Sequence, residues 1–175
     1  MKKLNAEDVI KILDLKPLIG EGGFYRQNIK SDETFLKGSL DGREGERPFH
    51  TGIYYLITEN TFSKMHKLTS DEVFHFYMGD PCIQLQLYSD GSSDIFTLGN
   101  DIINNEIPQL LCKRGVWQGT MKLEGAYGWS LLGTTMGPGY SDNDFEVCPM
   151  EKLIEKYPDR ENLIKILGQE ANYDI

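Results

Sequence analysis

The chain has 175 residues, the length of one ordinary domain, and its 27 acids against 18 lysines and arginines give a formal charge of −9. A chain so acidic repels polyanions and gains nothing from counterion release, which excludes nucleic acid as the expected partner. No apolar run is long enough to span a bilayer, acids interrupt the first residues before a leader could form, and three cysteines without C-x-x-C spacing suit neither a disulfide framework nor a zinc site, so a cytoplasmic protein with no membrane contact is expected.

Asn5, followed by Ala6, Glu7 and Asp8 and then by Val9, Ile10, Ile12 and Leu13, reads as an N-capped amphipathic helix with acids at the positive end of its dipole. Pro17 ends it near Leu15. From about Gly22 to Phe145, β-branched and aromatic runs alternate with turn formers and almost nothing keeps helical period. Strands are expected over 23–28, 51–58, 62–68, 72–78, 82–88, 93–98, 109–113, 120–123 and 128–135. The polar, glycine-rich stretch from Lys37 to Pro48 reads as an exposed loop, and Ser89-Asp90-Gly91-Ser92 as a hairpin turn, since Asp-Gly supplies the positive φ that such turns need. Gly137-Pro138-Gly139 marks a turn leaving the last strand. Short helices close the chain over 150–157 and from Pro158 to 167, with Gly168 as the stop. Strands at this spacing predict an all-β sandwich or barrel rather than βαβ units.

The chemistry-bearing stretch is HKLTSDEVFHFYMG, residues 66–79. Side chains alternate along a strand, so Glu72, Phe74, Phe76 and Met78 share one face and Val73, His75 and Tyr77 the other. His66 and Leu68 face alike, and a hairpin through Thr69-Ser70-Asp71 can bring their face over that of Glu72. His66 and Glu72 are therefore the expected partners, with His75 looking away.

The spacing His66-x-Leu68-x-x-x-Glu72-x6-Gly79 resembles the first cupin motif, and Lys113-Arg114-Gly115-Val116-Trp117-Gln118 resembles the second. Flanking segments Glu21-Gly22-Gly23-Phe24-Tyr25-Arg26, Ile53-Tyr54-Tyr55-Leu56 and Pro138-Gly139-Tyr140-x3-Asp144-Phe145-Glu146 are similar to the RmlC-like cupin branch labelled domain of unknown function 985. The similarity runs from about Ile19 to Glu146. It implies a double-stranded β-helix, or jelly roll, with a ligand pocket inside the barrel, and commonly a homodimer, in which outward aromatics such as Tyr77 find cover. The chain then divides into a helical start (1–18), a barrel (19–146) and terminal helices (147–175) of one cupin domain.

The resemblance implies no single activity, since one barrel hosts isomerases, epimerases, dioxygenases and binding proteins. Metal-binding cupins usually supply three His and one Glu. Here Leu68 stands where the second His belongs and Gln118 where the last does, leaving His66, Glu72 and Gln118 as the donors of a disfavoured divalent-metal site. No other cofactor is expected. Related epimerases pair a His base with a Tyr, which makes His66 the candidate base, Glu72 its orienter, and Tyr54 or Tyr25 the acid, with Arg26 stabilising charge. A small polar or carbohydrate-like ligand, isomerised by proton abstraction, is the expected use. Metal-dependent dioxygenase chemistry is one alternative; the other is binding without catalysis, with Phe74, Trp117 and Tyr54 lining the pocket and Gln118 helping to orient the ligand.

Overall fold

The computed structural model describes residues 4–40 and 45–173. Helix α1, Ala6–Leu13, starts where the sequence places it: the Asn5 side chain accepts from the Asp8 amide at 2.8 Å while the Asp8 carboxylate accepts from the Asn5 amide, a reciprocal capping box. It stops at Leu13 because Asp14 turns left-handed, with φ of 52°. Two short strands pairs follow the chain's edges, β1 (Lys16–Pro17) and β2 (Phe24–Lys30), then β3 (Thr34–Phe35) and β4 (Arg47–Pro48).

The body continues with β5 (Thr51–Thr58), β6 (Ser63–Lys67), β7 (Asp71–Gly79), β8 (Cys82–Leu87), β9 (Ser93–Leu98), β10 (Gln109–Cys112), β11 (Trp117–Lys122), β12 (Trp129–Gly137) and β13 (Glu146–Val147). Helices α2 (Met150–Lys156) and α3 (Glu161–Leu167) end it, with Pro158 opening a 3-10 turn that leads into α3. A six-stranded sheet in the order β1-β2-β5-β12-β7-β10 faces a five-stranded one in the order β13-β6-β11-β8-β9, and all these strand pairs are antiparallel. This is the expected all-β jelly roll.

Helices cover the outer side of each sheet. Helix α1 packs Val9 on Phe24, Leu56, Trp129 and Leu131 of the six-stranded sheet. Helices α2 and α3 pack Leu153, Ile164 and Leu167 on Met65, Leu85 and Leu87 of the five-stranded sheet. Strand β8 consequently reads inside out: its leucines lie under the helices, while Gln84 and Gln86 are buried on the barrel side. They are satisfied in series, Gln86 donating to Gln84 at 2.8 Å and Gln84 to Thr120 at 3.0 Å.

Four expectations need correction. Strand 120–123 begins earlier, at Trp117. Residues 66–79 form no hairpin, because β6 and β7 belong to opposite sheets; the connection crosses the barrel and sets the His66 face over the Glu72 face that way. A bulge at Tyr77, where Leu131 pairs Met78 but Leu132 pairs Phe76, turns Met78 outward to 42% exposure while Phe74 and Phe76 stay in the core. Arg47, read as part of an exposed loop, is 2% exposed and ion-paired with Asp144. The middle of that loop, 41–44, lies outside the described residues, as do 1–3 and 174–175.

Candidate functional site

Glycine geometry puts the first acid in place. Gly22 and Gly23 have φ of 109° and 68°, and a Cβ on Gly23 would lie 2.7 Å from the Tyr55 ring and 2.8 Å from the Leu56 carbonyl. The turn therefore presses against β5, where the buried Tyr55 hydroxyl donates to the Gly22 carbonyl at 3.0 Å and the Lys64 amide donates to the Glu21 carbonyl at 2.8 Å. This seats the Glu21 carboxylate in the barrel mouth, where Ser63 donates to it at 3.2 Å.

The second acid comes from β7. Glu72 is buried, and Gln118 Nε2, opposite it on β11, donates to its Oε2 at 2.6 Å. The same nitrogen lies 3.3 Å from His66 Nε2. His66 Nδ1 donates to the Lys64 carbonyl at 2.7 Å, which leaves Nε2 as the acceptor of the Gln118 amide. A register break between Gln118 and Thr120 makes this possible: Ser63 and His66, three apart on β6, both reach the interior. The His66 ring stacks on Phe145 at 4.9 Å.

Burial sets the charges. It pushes Glu21 up to about 7, with Ser63 and Tyr55 pulling the other way. Burial pushes Glu72 up to about 7 as well, helped by the negative charge of Glu21 and opposed by His66, Thr134 and Gln118. Burial lowers His66 despite its carboxylate neighbour. Tyr140 is pushed up to about 12 by burial and by Asp142, Glu21, Asp144 and Glu72.

These acids line a cavity of about 570 Å³ walled by Leu18, Tyr25, Ile53, Leu68, Thr134 and Met136, with Tyr140 and Asp142 at one side. The segment carrying Tyr140 is pinned from behind: Asp144 pairs with Arg47, accepts from Thr69, and accepts from the Ser141 amide at 2.9 Å.

The sequence pattern described as Cupin superfamily (DUF985) matches residues 7–148. This chain belongs to that family. A hypothetical protein from Leishmania major is similar at 28% identity and TM-score 0.83, covering 95% of this chain and all of its own. A structure from Shewanella oneidensis is similar at 30% identity and TM-score 0.82, covering 95% and 99%. Oxalate decarboxylase of Bacillus subtilis shares the fold alone, at 15% identity and TM-score 0.53 over 90% of this cupin and 38% of the decarboxylase. No curated protein matches the chain.

Cupin barrels commonly hold a metal, and the donors here fit one poorly. Of the three candidates, His66 and Glu72 already accept from one nitrogen of Gln118, so an amide sits where an ion would have to. Leu68 lines the cavity with an apolar side chain. Among the described residues no three His, Cys, Asp or Glu side chains converge.

The remaining candidates divide. Tyr25 lines the cavity, and Phe74 is buried in the core below it. Tyr54 and Arg26 pair on the outer face of the six-stranded sheet, the guanidinium 5.4 Å from the ring, and it is the neighbouring Tyr55 that points inward. Trp117 faces α2 and α3 and carries Lys67 over its ring. His75 looks outward, donating to Thr135 at 2.9 Å. Glu21, absent from the candidates, was signalled by an acid placed directly before a glycine pair at a strand's start.

Proposed function

We propose that this cupin binds a small polar molecule in the barrel and moves a proton on it, with Glu72 and Glu21 as the acid/base pair. The observation that carries this reading is two carboxyl groups in the wall of one cavity, each held near pH 7, where a carboxyl group takes and gives protons with least penalty. His66 loses the role of base, because its free nitrogen is occupied by Gln118 and it does not line the cavity; it acts by holding Gln118, and through it Glu72.

For a hydroxy-carbonyl compound, the charged Glu72 removes the proton beside the carbonyl as the protonated Glu21 delivers one to the carbonyl oxygen. An enediol results, and the reverse transfers complete an isomerisation or epimerisation. Aldoses and ketoses incubated with the protein in D2O should exchange the carbon-bound hydrogen, followed by proton NMR. Glu72→Gln should slow exchange by about 100-fold or more; exchange that survives this change defeats the reading.

Two wider features follow the same reading. Cys82, Cys112 and Cys148 are free thiols, and no described helix is long and apolar enough to cross a membrane, which suits a reducing cytoplasm. We propose a homodimer through the outer face near Tyr77, Met78 and Leu111, each more than two-fifths exposed. Light scattering that gives a monomer at micromolar concentration would exclude it.

A further inference from the structure

The cavity has one sign of charge. Glu21, Glu72 and Asp142 line it, and no lysine, arginine or histidine does among the described residues. The nearby cations are committed elsewhere: Arg47 to Asp144, Lys64 to Glu170, Lys67 to Glu146 at 3.0 Å. Arg26 lies on the outer face of the sheet. An anion entering this space would be an unpaired charge in a negative, partly desolvated field.

The balance of donors and acceptors points the same way. Each carboxylate can accept about four hydrogen bonds. The described side-chain donors to this pair are Ser63 on Glu21 and Gln118 on Glu72, with Thr134 and Tyr55 close by. Gln118 spends its amide nitrogen on Glu72 and His66 while its own Oε1 is buried with no donor at all. Thr134 also hydrogen-bonds Glu72, and Gln27, Tyr25 and Tyr140 line the same cavity, yet the described donors to the two carboxylates remain fewer than the acceptor positions they offer. Tyr25 and Tyr140 add ring faces to the wall, and Ile53, Leu68 and Met136 add apolar surface.

We infer that the cavity selects a small organic cation, an ammonium compound whose charged head meets Glu21 and Glu72, with the exposed Asp142 adding negative charge at the rim, and whose body lies against Ile53, Leu68 and Met136. An ammonium group brings three donors and no acceptor, which suits the unfilled acceptor positions of the two carboxylates. The volume of about 570 Å³ admits a single ring with substituents. The inference rests on the cavity being the ligand site and narrows its substrate class to amino-substituted compounds; it excludes dicarboxylates and phosphorylated sugars.

Two sets of matched compounds test it by calorimetry at pH 8 with the full chain, both amines being protonated there: cyclohexylamine, cyclohexanol and cyclohexanecarboxylate, then N-methylglucamine, sorbitol and gluconate. Within at least one set the amine should bind about ten-fold or more tighter than the alcohol, with the carboxylate undetectable. Glu21→Gln and Glu72→Gln, which keep the side-chain shape, should each reduce that preference. A carboxylate that binds as tightly as its amine, an ordering indifferent to charge, or no binding of either amine at millimolar concentration overturns the inference. Because the wild-type comparison needs no variant, misfolding of a variant cannot obscure it. The outcome is separable from the proton-transfer reading: Glu72-dependent exchange in neutral sugars without amine preference sinks only the cation, and amine preference without exchange sinks only the catalysis.

Discussion

The two ends of the barrel interior are built from the same strands and obey opposite rules. Along β7 the inward residues run from Glu72 through Phe74 to Phe76, along β12 from Thr134 to Leu132, and along β5 from Ile53 through Tyr55 to Ile57. At the Phe76 end these side chains close on Cys82, Leu98 and Leu110 as a packed apolar core. At the Glu72 end the same walls part around a cavity and bury acids that burial itself makes hard to ionise. Packing explains the first end completely. The second runs against stability, and such local violations are where function is expected to lie.

That contrast can be broken at either end. Leu132→Ala, in the packed half, should cost about 2–5 kcal/mol in urea unfolding while leaving ligand preference untouched; a smaller loss would mean the core there is loose. Glu72→Gln should act in the opposite sense at alkaline pH. A carboxyl raised from 4.5 to about 7 in the folded state makes stability greatest below pH 4.5 and progressively lower as pH rises through 7. Removing its charge should therefore stabilise the protein by about 2 kcal/mol at pH 8, change little at pH 4.5, and flatten the slope between. Thermal melts across that range, with Glu21, His66, Asp142 and Tyr140 left in place around the site, decide it. Destabilisation at pH 8 would show that the charge is well satisfied.

A third change sharpens the argument about metal. Leu68→His together with Gln118→His frees His66 and Glu72 from the amide and restores three imidazoles, so the double variant should take up cobalt(II) and show its visible absorption while the parent shows far less. Equal uptake by the parent would mean that Gln118 yields to an ion. The smallest effect is expected outside the barrel: Tyr54→Phe, on the outer face, should alter stability by about 0.5 kcal/mol or less and leave ligand binding unchanged.

Much of the site was legible in the sequence because strand parity is a local property. It set Glu72 with Phe74 and Phe76 and turned His75 away, while the resemblance to the first cupin motif made Leu68 conspicuous as an apolar letter at a ligand position. Parity failed at Met78 and for the tyrosines for different reasons. A bulge at Tyr77 reverses the alternation, and bulges answer to the partner strand rather than to their own residues. Between Tyr54 and Tyr55 the sequence offers no choice, since both have neighbours of similar hydrophobicity and only the position of α1 determines which face is outer.

What the chain determined by itself is the all-β architecture and its capping helices, because alternation and turn chemistry are short-range; His66, Glu72 and Gln118 were singled out by resemblance to the cupin motifs, and the barrel brings them together across 46 and 52 residues. What only the tertiary structure decided is which charges end up sharing the cavity. Glu21 enters through a glycine turn pressed on β5, Arg47 is withdrawn to Asp144, and the glutamines of β8 turn inward because α2 and α3 claim its leucines. Each outcome depends on a partner 30 or more residues away, as with Tyr55 and Gly22 at a separation of 33. Burial, which governs whether a carboxylate is charged, belongs to the assembled barrel and to no segment of it.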